Sequence, residues 1–231
     1  MAMGTAALHS RVWLAPRRWW AALARVLQGA GSPRTGLGSR GDGKEKHPFD
    51  RRHGVDTDGL IYADGLASGH AHDAHNAGYY ATAPSLFRGA MELWRETLAG
   101  TGYGVEDYTL LDIGCGKGRV LMLATEYAFR EVVGVELNPG LARVARRNLR
   151  RWMHWRWTRG RRACRNVRIV QGDALAVPLP DGPVALFYFN SFEREMAGMW
   201  LARLGEIARE RTHPMDLIYV HPEFDSLVRQ V

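Results

Sequence analysis

The sequence predicts an α/β fold with a parallel central sheet, and three observations carry that expectation. From Tyr108 onward, short apolar runs alternate with helical segments. Apolar strands separated by helices imply parallel pairing through right-handed crossovers. A glycine-rich loop, Asp112 to Gly118, turns from the first run into the first helix, and such folds bind ligands at the carboxyl ends of their strands.

The elements divide the chain into three parts. Residues 1–46 read as a basic, flexible extension, in which Trp20, Leu23, Val26 and Leu27 share one helical face ahead of a Gly, Ser and Pro linker. Residues 47–107 form a cap segment. Its first half lacks periodicity, and a helix over 85–99 follows Pro84. Residues 108–231 form the main domain, with strands over 109–113, 131–137, 167–171, 184–189 and 216–220. Its helices are expected over 119–129, 140–151 and 196–211.

Composition narrows the class of protein. With 231 residues, 46% hydrophobic and 24% charged, the chain can build one α/β core plus extensions. Its two cysteines exclude a disulfide framework and fit a reducing compartment. No apolar run approaches the roughly 18 residues of a membrane span, so a soluble, cytoplasmic protein is expected. The net charge of +7 is unevenly placed: residues 1–41 hold six arginines and no acid, and residues 137–172 hold eleven and no acid. Such clustering suggests an anionic partner, a nucleic acid or other polyanion meeting residues 143–168. Trp152, Trp155 and Trp157 would then stack on bases. The competing reading extends the helix through this stretch, with its tryptophans packed inward and its arginines solvated.

The loop Asp112-Ile113-Gly114-Cys115-Gly116-Lys117-Gly118 carries the strongest chemical signal. A dinucleotide fingerprint needs glycine where Arg119 stands, and a P-loop needs Ser or Thr where Gly118 stands. Neither phosphate motif fits. The loop suits a ligand with an amino-acid tail, its backbone amides meeting the carboxylate and Asp112 accepting from the ammonium. Gly114, Gly116 and Gly118 permit close approach, and Cys115 reads as a small packing residue of the same loop. Glu136 ends the second strand, where an acid can take both hydroxyls of a ribose. Asp173 and Ala174 follow the third strand, placed to meet adenine through a carboxylate and an amide. His70, His72, Asp73 and His75 form a compact group, but the sequence offers them no distant partner. A solvated loop is expected there, and no metal.

These segments resemble the first three motifs of class I S-adenosylmethionine-dependent methyltransferases. Phe49 to Thr57 and Tyr80 to Ser85 resemble a largely uncharacterised bacterial branch of that superfamily, and the likeness spans roughly residues 48–225. The resemblance implies a Rossmann-like fold, S-adenosyl-L-methionine as cofactor, and Asp112, Gly114, Cys115, Gly116, Gly118, Glu136, Asp173 and Ala174 as its binding residues. It also implies a methyl acceptor. Tyr188-Phe189-Asn190-Ser191-Phe192 matches the fourth motif of enzymes that methylate nitrogen in a protein side chain or a nucleic-acid base, which makes Asn190 the catalytic candidate. Those enzymes mostly read Asn-Pro-Phe, so Ser191 departs from the pattern. The alternative is a nucleic-acid-binding protein with a vestigial pocket.

The resemblance also sets the sheet order at 3-2-1-4-5. Eleven residues follow Val220, so the usual C-terminal hairpin is missing and a five-stranded sheet is expected. Residues 216–220 would be a mostly apolar edge that calls for a cover. A second subunit in a homo-oligomer, the N-terminal extension or further chain would each supply one.

Overall fold

The computed structural model describes residues 11–14, 46–75, 77–158 and 163–229. The expected linker, the Trp20–Leu27 face and Arg159, Arg161 and Arg162 lie outside them. In chain order the elements are β1 (Arg11–Leu14), α1 (Pro48–His53), β2 (Leu60–Ile61), β3 (Tyr79–Tyr80), α2 (Pro84–Glu96), β4 (Thr109–Ile113), α3 (Arg119–Ala124) and β5 (Glu131–Glu136). There follow α4 (Pro139–Thr158), β6 (Val167–Gln171), β7 (Val184–Tyr188), α5 (Arg194–Glu210), β8 (Met215–Tyr219) and α6 (Asp225–Val228).

The main sheet has six strands in the order β1-β8-β7-β4-β5-β6, all parallel. The expectation of five strands is therefore corrected. Arg11–Leu14, assigned from sequence to a flexible extension, pairs with β8 from Arg11↔Asp216 to Leu14↔Tyr219. The physical reason is the unpaired row of backbone groups that β8 would otherwise present, which this segment satisfies within the chain. Four residues set among basic and linker sequence are too few to announce a strand by periodicity.

Both faces of the sheet are covered, which is why its central strands are buried at every position. Alternate side chains divide between two cores. Leu110, Val132, Phe187 and Ile218 face Phe87, Met91 and Trp94 of α2, Val120 to Ala124 of α3, and Trp152 of α4. Leu111, Val133, Leu186 and Leu217 face Met196, Trp200, Leu201 and Leu204 of α5. Asp216, expected as a charge on an exposed edge, is 1% exposed and accepts a hydrogen bond from Trp94 Nε1 at 2.8 Å. That bond ties α2 to β8.

Helix α4 runs well past the expected end at Arg151. Trp152 is buried and stacks on Phe49 of α1, and Trp155 stacks on Trp152 with His53 edge-on to both. Arg156 is buried, its Nη1 3.4 Å from Glu126 Oε1. The two tryptophans thus pack inward, and Arg156 is not a surface contact. Trp94→Phe should keep the fold's shape but leave the buried Asp216 short of a donor. We expect about 1.5–3 kcal/mol less stability in urea unfolding, with an unchanged m-value.

Candidate functional site

One pocket lies at the carboxyl ends of β4, β5, β6 and β7, lined by Asp112, Gly114, Cys115, Gly116, Glu136, Asp173, Ala174 and Asn190 among others. The structure thus brings together all of the expected site residues except Gly118, which caps the N-terminus of α3. The cap segment supplies the opposite wall through Leu66 and residues 77–82.

The loop between β4 and α3 takes its shape from backbone conformations that favour glycine. Gly114 and Gly116 have φ of 71° and 54°. A Cβ at Gly114 would collide with Ser191, and one at Gly116 with the ring of Tyr79. The loop's amides turn inward. Gly114 N and Cys115 N both donate to Val135 O at 2.9 Å, Gly116 N donates to Glu136 Oε2 at 2.8 Å, and Gly118 N donates to Cys115 O at 2.8 Å. The expectation that the loop amides receive a carboxylate is therefore corrected for these four. Three of them clamp the loop onto β5 instead, and the fourth closes the loop on itself.

Glu136 is 7% exposed and its other oxygen accepts from Asn138 N at 2.8 Å. Burial raises its carboxyl above the ordinary range, against the pull of the backbone amides of Asn138, Gly116 and Leu137. Asp112 is still more confined. Burial first, and the charge of Glu136 second, hold its carboxyl well above the usual carboxylate range, and its Oδ2 has no hydrogen-bond partner among the described residues. A buried acid that lacks a donor fits a ligand bringing an ammonium. The three-glycine cradle and Glu136, fixed at a strand end, fit a nucleoside joined to an amino acid.

Asp173 Oδ1 accepts from Leu175 N, while its Oδ2 lies 2.9 Å from His72 Nδ1. His72 belongs to the segment without periodicity, so sequence reasoning missed this partner. His70, His72 and Asp173 each bring one donor atom within 4.8 Å of the others. Asp73 does not join them. It accepts from the Ser68 hydroxyl and from the amides of Ser68, Gly69 and His70, which lower its pKa and fold its own turn.

Asn190 adopts φ 44°, a conformation asparagine tolerates better than most residues. Its Oδ1 accepts from Tyr219 OH at 2.8 Å and its Nδ2 donates to His221 O. Ser191, where a proline was the pattern, donates from Oγ to Ile113 O at 2.7 Å. The hydroxyl thus anchors the end of β7 to the glycine loop. Tyr80 stands half-exposed at the pocket, whereas Phe192 is buried against Tyr188 and Trp200. Sequence reasoning also missed Tyr79, Thr82 and Arg119 as pocket residues. For Arg119 a signal existed, since it directly follows the glycine loop.

Residues 110–210 match the family model of the methyltransferase domain. That match covers a little under half of the chain, and its description is a methyltransferase domain. Among curated proteins none matches the chain. Similar solved structures include the YcgJ protein of Bacillus subtilis, 24% identical over 44% of this chain and 38% of that one, with a TM-score of 0.29. An RNA methyltransferase from Salinibacter ruber, in complex with S-adenosyl-L-homocysteine, is 22% identical over 47% of this chain and 61% of its own, with a TM-score of 0.34. A geranyl diphosphate C-methyltransferase from Streptomyces coelicolor is 24% identical over 51% and 40%, with a TM-score of 0.34. The chain thus spans well under two thirds of the Bacillus protein's length. Among the described residues, no helix is long and apolar enough to cross a membrane.

Cys115 and Cys164 are free and buried, and burial pushes both thiols up. For Cys115 the charges of Glu136 and Asp112 add to the effect, so it offers no thiolate nucleophile at neutral pH. Both cysteines should resist iodoacetamide at pH 7.5 in the folded protein and react fully in urea, as read by mass spectrometry.

Proposed function

We propose that this protein transfers a methyl group from S-adenosylmethionine to a nitrogen of a protein side chain or a nucleic-acid base. The observation that carries the reading is Asn190, held by Tyr219 and His221 at the end of β7 and lining the same pocket as Asp112, Glu136 and Asp173. The bound cofactor supplies an electrophilic methyl, so alignment and exclusion of water do most of the catalytic work. Glu136 accepts from the ribose hydroxyls through the lone pairs that Gly116 and Asn138 leave. Asp173 and the amide of Ala174 meet adenine, with His72 steadying the carboxylate. Asn190 Oδ1 accepts from the target N–H and aims the nitrogen lone pair at the methyl. Tyr219, by fixing that amide, is its positioning partner.

The acceptor is unidentified, so the first experiment incubates cell extract with the protein and isotope-labelled methyl donor. Mass spectrometry should find label on nitrogen. Label confined to oxygen or carbon would overturn the assignment of the atom. Glu136→Ala should weaken S-adenosylhomocysteine binding by about 1–3 kcal/mol in calorimetry. Asn190→Ala should instead depress turnover and leave cofactor affinity nearly intact. Normal turnover in that variant would leave Asn190 a turn residue alone.

We further propose that α4 guides a polyanionic acceptor. Arg143, Arg147, Arg150 and His154 are exposed and recur at i, i+4, i+7 and i+11, which places them on one helical stripe. Arg147 already shares Asp56, at 3.2 Å, so that ion pair must open for contact. Changing Arg143, Arg147 and Arg150 to Gln should reduce the salt slope of single-stranded RNA binding by about two. Equal slopes for both proteins would remove the polyanion from this face.

A further inference from the structure

Two residues that line the pocket each carry a buried side-chain atom without a hydrogen-bond partner among the described residues, and the chemistry of the two atoms is opposite. One is the acceptor Asp112 Oδ2 and the other is the donor Arg119 Nη2. Arg119 is 4% exposed, yet it lines the pocket and is the one cation among the described residues that do. The other charged groups there are the acids Asp112, Glu136 and Asp173. A carboxylate entering beside three acids needs a cation or a set of donors to meet it. The usual donors are committed elsewhere: the amides of Gly114, Cys115, Gly116 and Gly118 all bond within the loop and to β5. Lys117 Nζ faces away, donating to Asp56 Oδ1 and Asp58 O.

We propose that Arg119 recognises the α-carboxylate of the cofactor, Nη2 donating to it while Asp112 accepts from the neighbouring ammonium. This rests on the reading of the pocket as an S-adenosylmethionine site. The guanidinium is held in place for the task. Its Nε donates to Thr57 Oγ1 at 2.7 Å, its Nη1 reaches Thr82 O at 3.4 Å, and it lies over the ring of Phe49 at 5.5 Å. Asp50 compensates its charge from behind, but at 3.8 Å from Nη2 it is too distant for a hydrogen bond. The Asp50 oxygens accept instead from Thr57 N, Thr57 Oγ1 and Asp58 N. Nη2 therefore keeps its hydrogens for a ligand.

Calorimetry with two ligands tests the assignment: S-adenosylhomocysteine, and its decarboxylated analogue, which keeps the ammonium. Wild type should prefer the first by roughly tenfold or more, the scale of one charge-assisted pair. Arg119→Met should bind both equally well, with the affinity for the analogue unchanged. Arg119→Lys, which keeps the cation and loses the fork, should fall between them. Because the Met variant strands the buried Asp50, the double variant Arg119→Met with Asp50→Asn removes both charges and should give the same loss of preference in a restored fold. A preference for S-adenosylhomocysteine that survives in the double variant would overturn the proposal. Equal loss of both ligands from every variant would also overturn it, since it would assign Arg119 to holding the cap alone. Wild type that binds neither ligand would instead overturn the reading of the pocket on which the proposal rests.

Discussion

The carboxyl end of β5 holds the site together. Val135 O receives two amides of the glycine loop, and the next residue, Glu136, receives a third through its side chain. Two residues of one strand thus dictate the path of a loop that begins on its neighbour. The left-handed glycines let the chain follow that path, and Ser191 and Tyr79 close against it where any side chain would intrude. Because three of the loop's amides end on β5, those three are already satisfied within the protein. Glu136 is then both a fastening of the loop and a wall of the pocket, so its burial serves two ends.

The cap segment depends on that loop and completes it. Arg119, the first residue of α3, reaches Thr57 and Thr82, and Asp50 gathers Thr57 and Asp58 around itself. Asn148 of α4 is fully buried and joins Asp56, at both its amide and its carbonyl, to Lys117 O. Tyr79 OH donates to Thr57 O, and burial raises its pKa far above the ordinary phenol range, so it stays a donor. A segment with few apolar residues is thereby ordered by polar bonds that are buried or part-buried. Such bonds fix positions more narrowly than apolar packing does.

The sheet solves a separate problem with the same economy of chain. A strand as apolar as β8 cannot safely end a sheet. One face of β8 is closed by α2, with Trp94 meeting Asp216, and its free edge is closed by β1. The helix α4 uses its length in a comparable way, since Trp152 and Trp155 anchor α1 while arginines one turn away stay in water.

The alternation of strands and helices, the glycine loop and the strand-end acids were legible in the sequence, because each is set by local pattern: period, turn chemistry and spacing along one chain. Asp112, Glu136 and Asp173 could be placed on successive strand ends without knowing anything of their neighbours. What the loop amides bond to was not legible, because the acceptors Val135 and Glu136 lie on another strand whose register the sequence does not state. Nor was the pairing of Arg11–Leu14 with β8, the approach of His72 to Asp173, or the burial of Arg119 beside Asp50. Those contacts join residues 69 to 205 positions apart, as between Asp50 and Arg119 or Arg11 and Asp216, and only the closing of the chain on itself brings them together. Local sequence determined the elements and their order; tertiary packing decided which polar atoms are satisfied and which remain for a ligand.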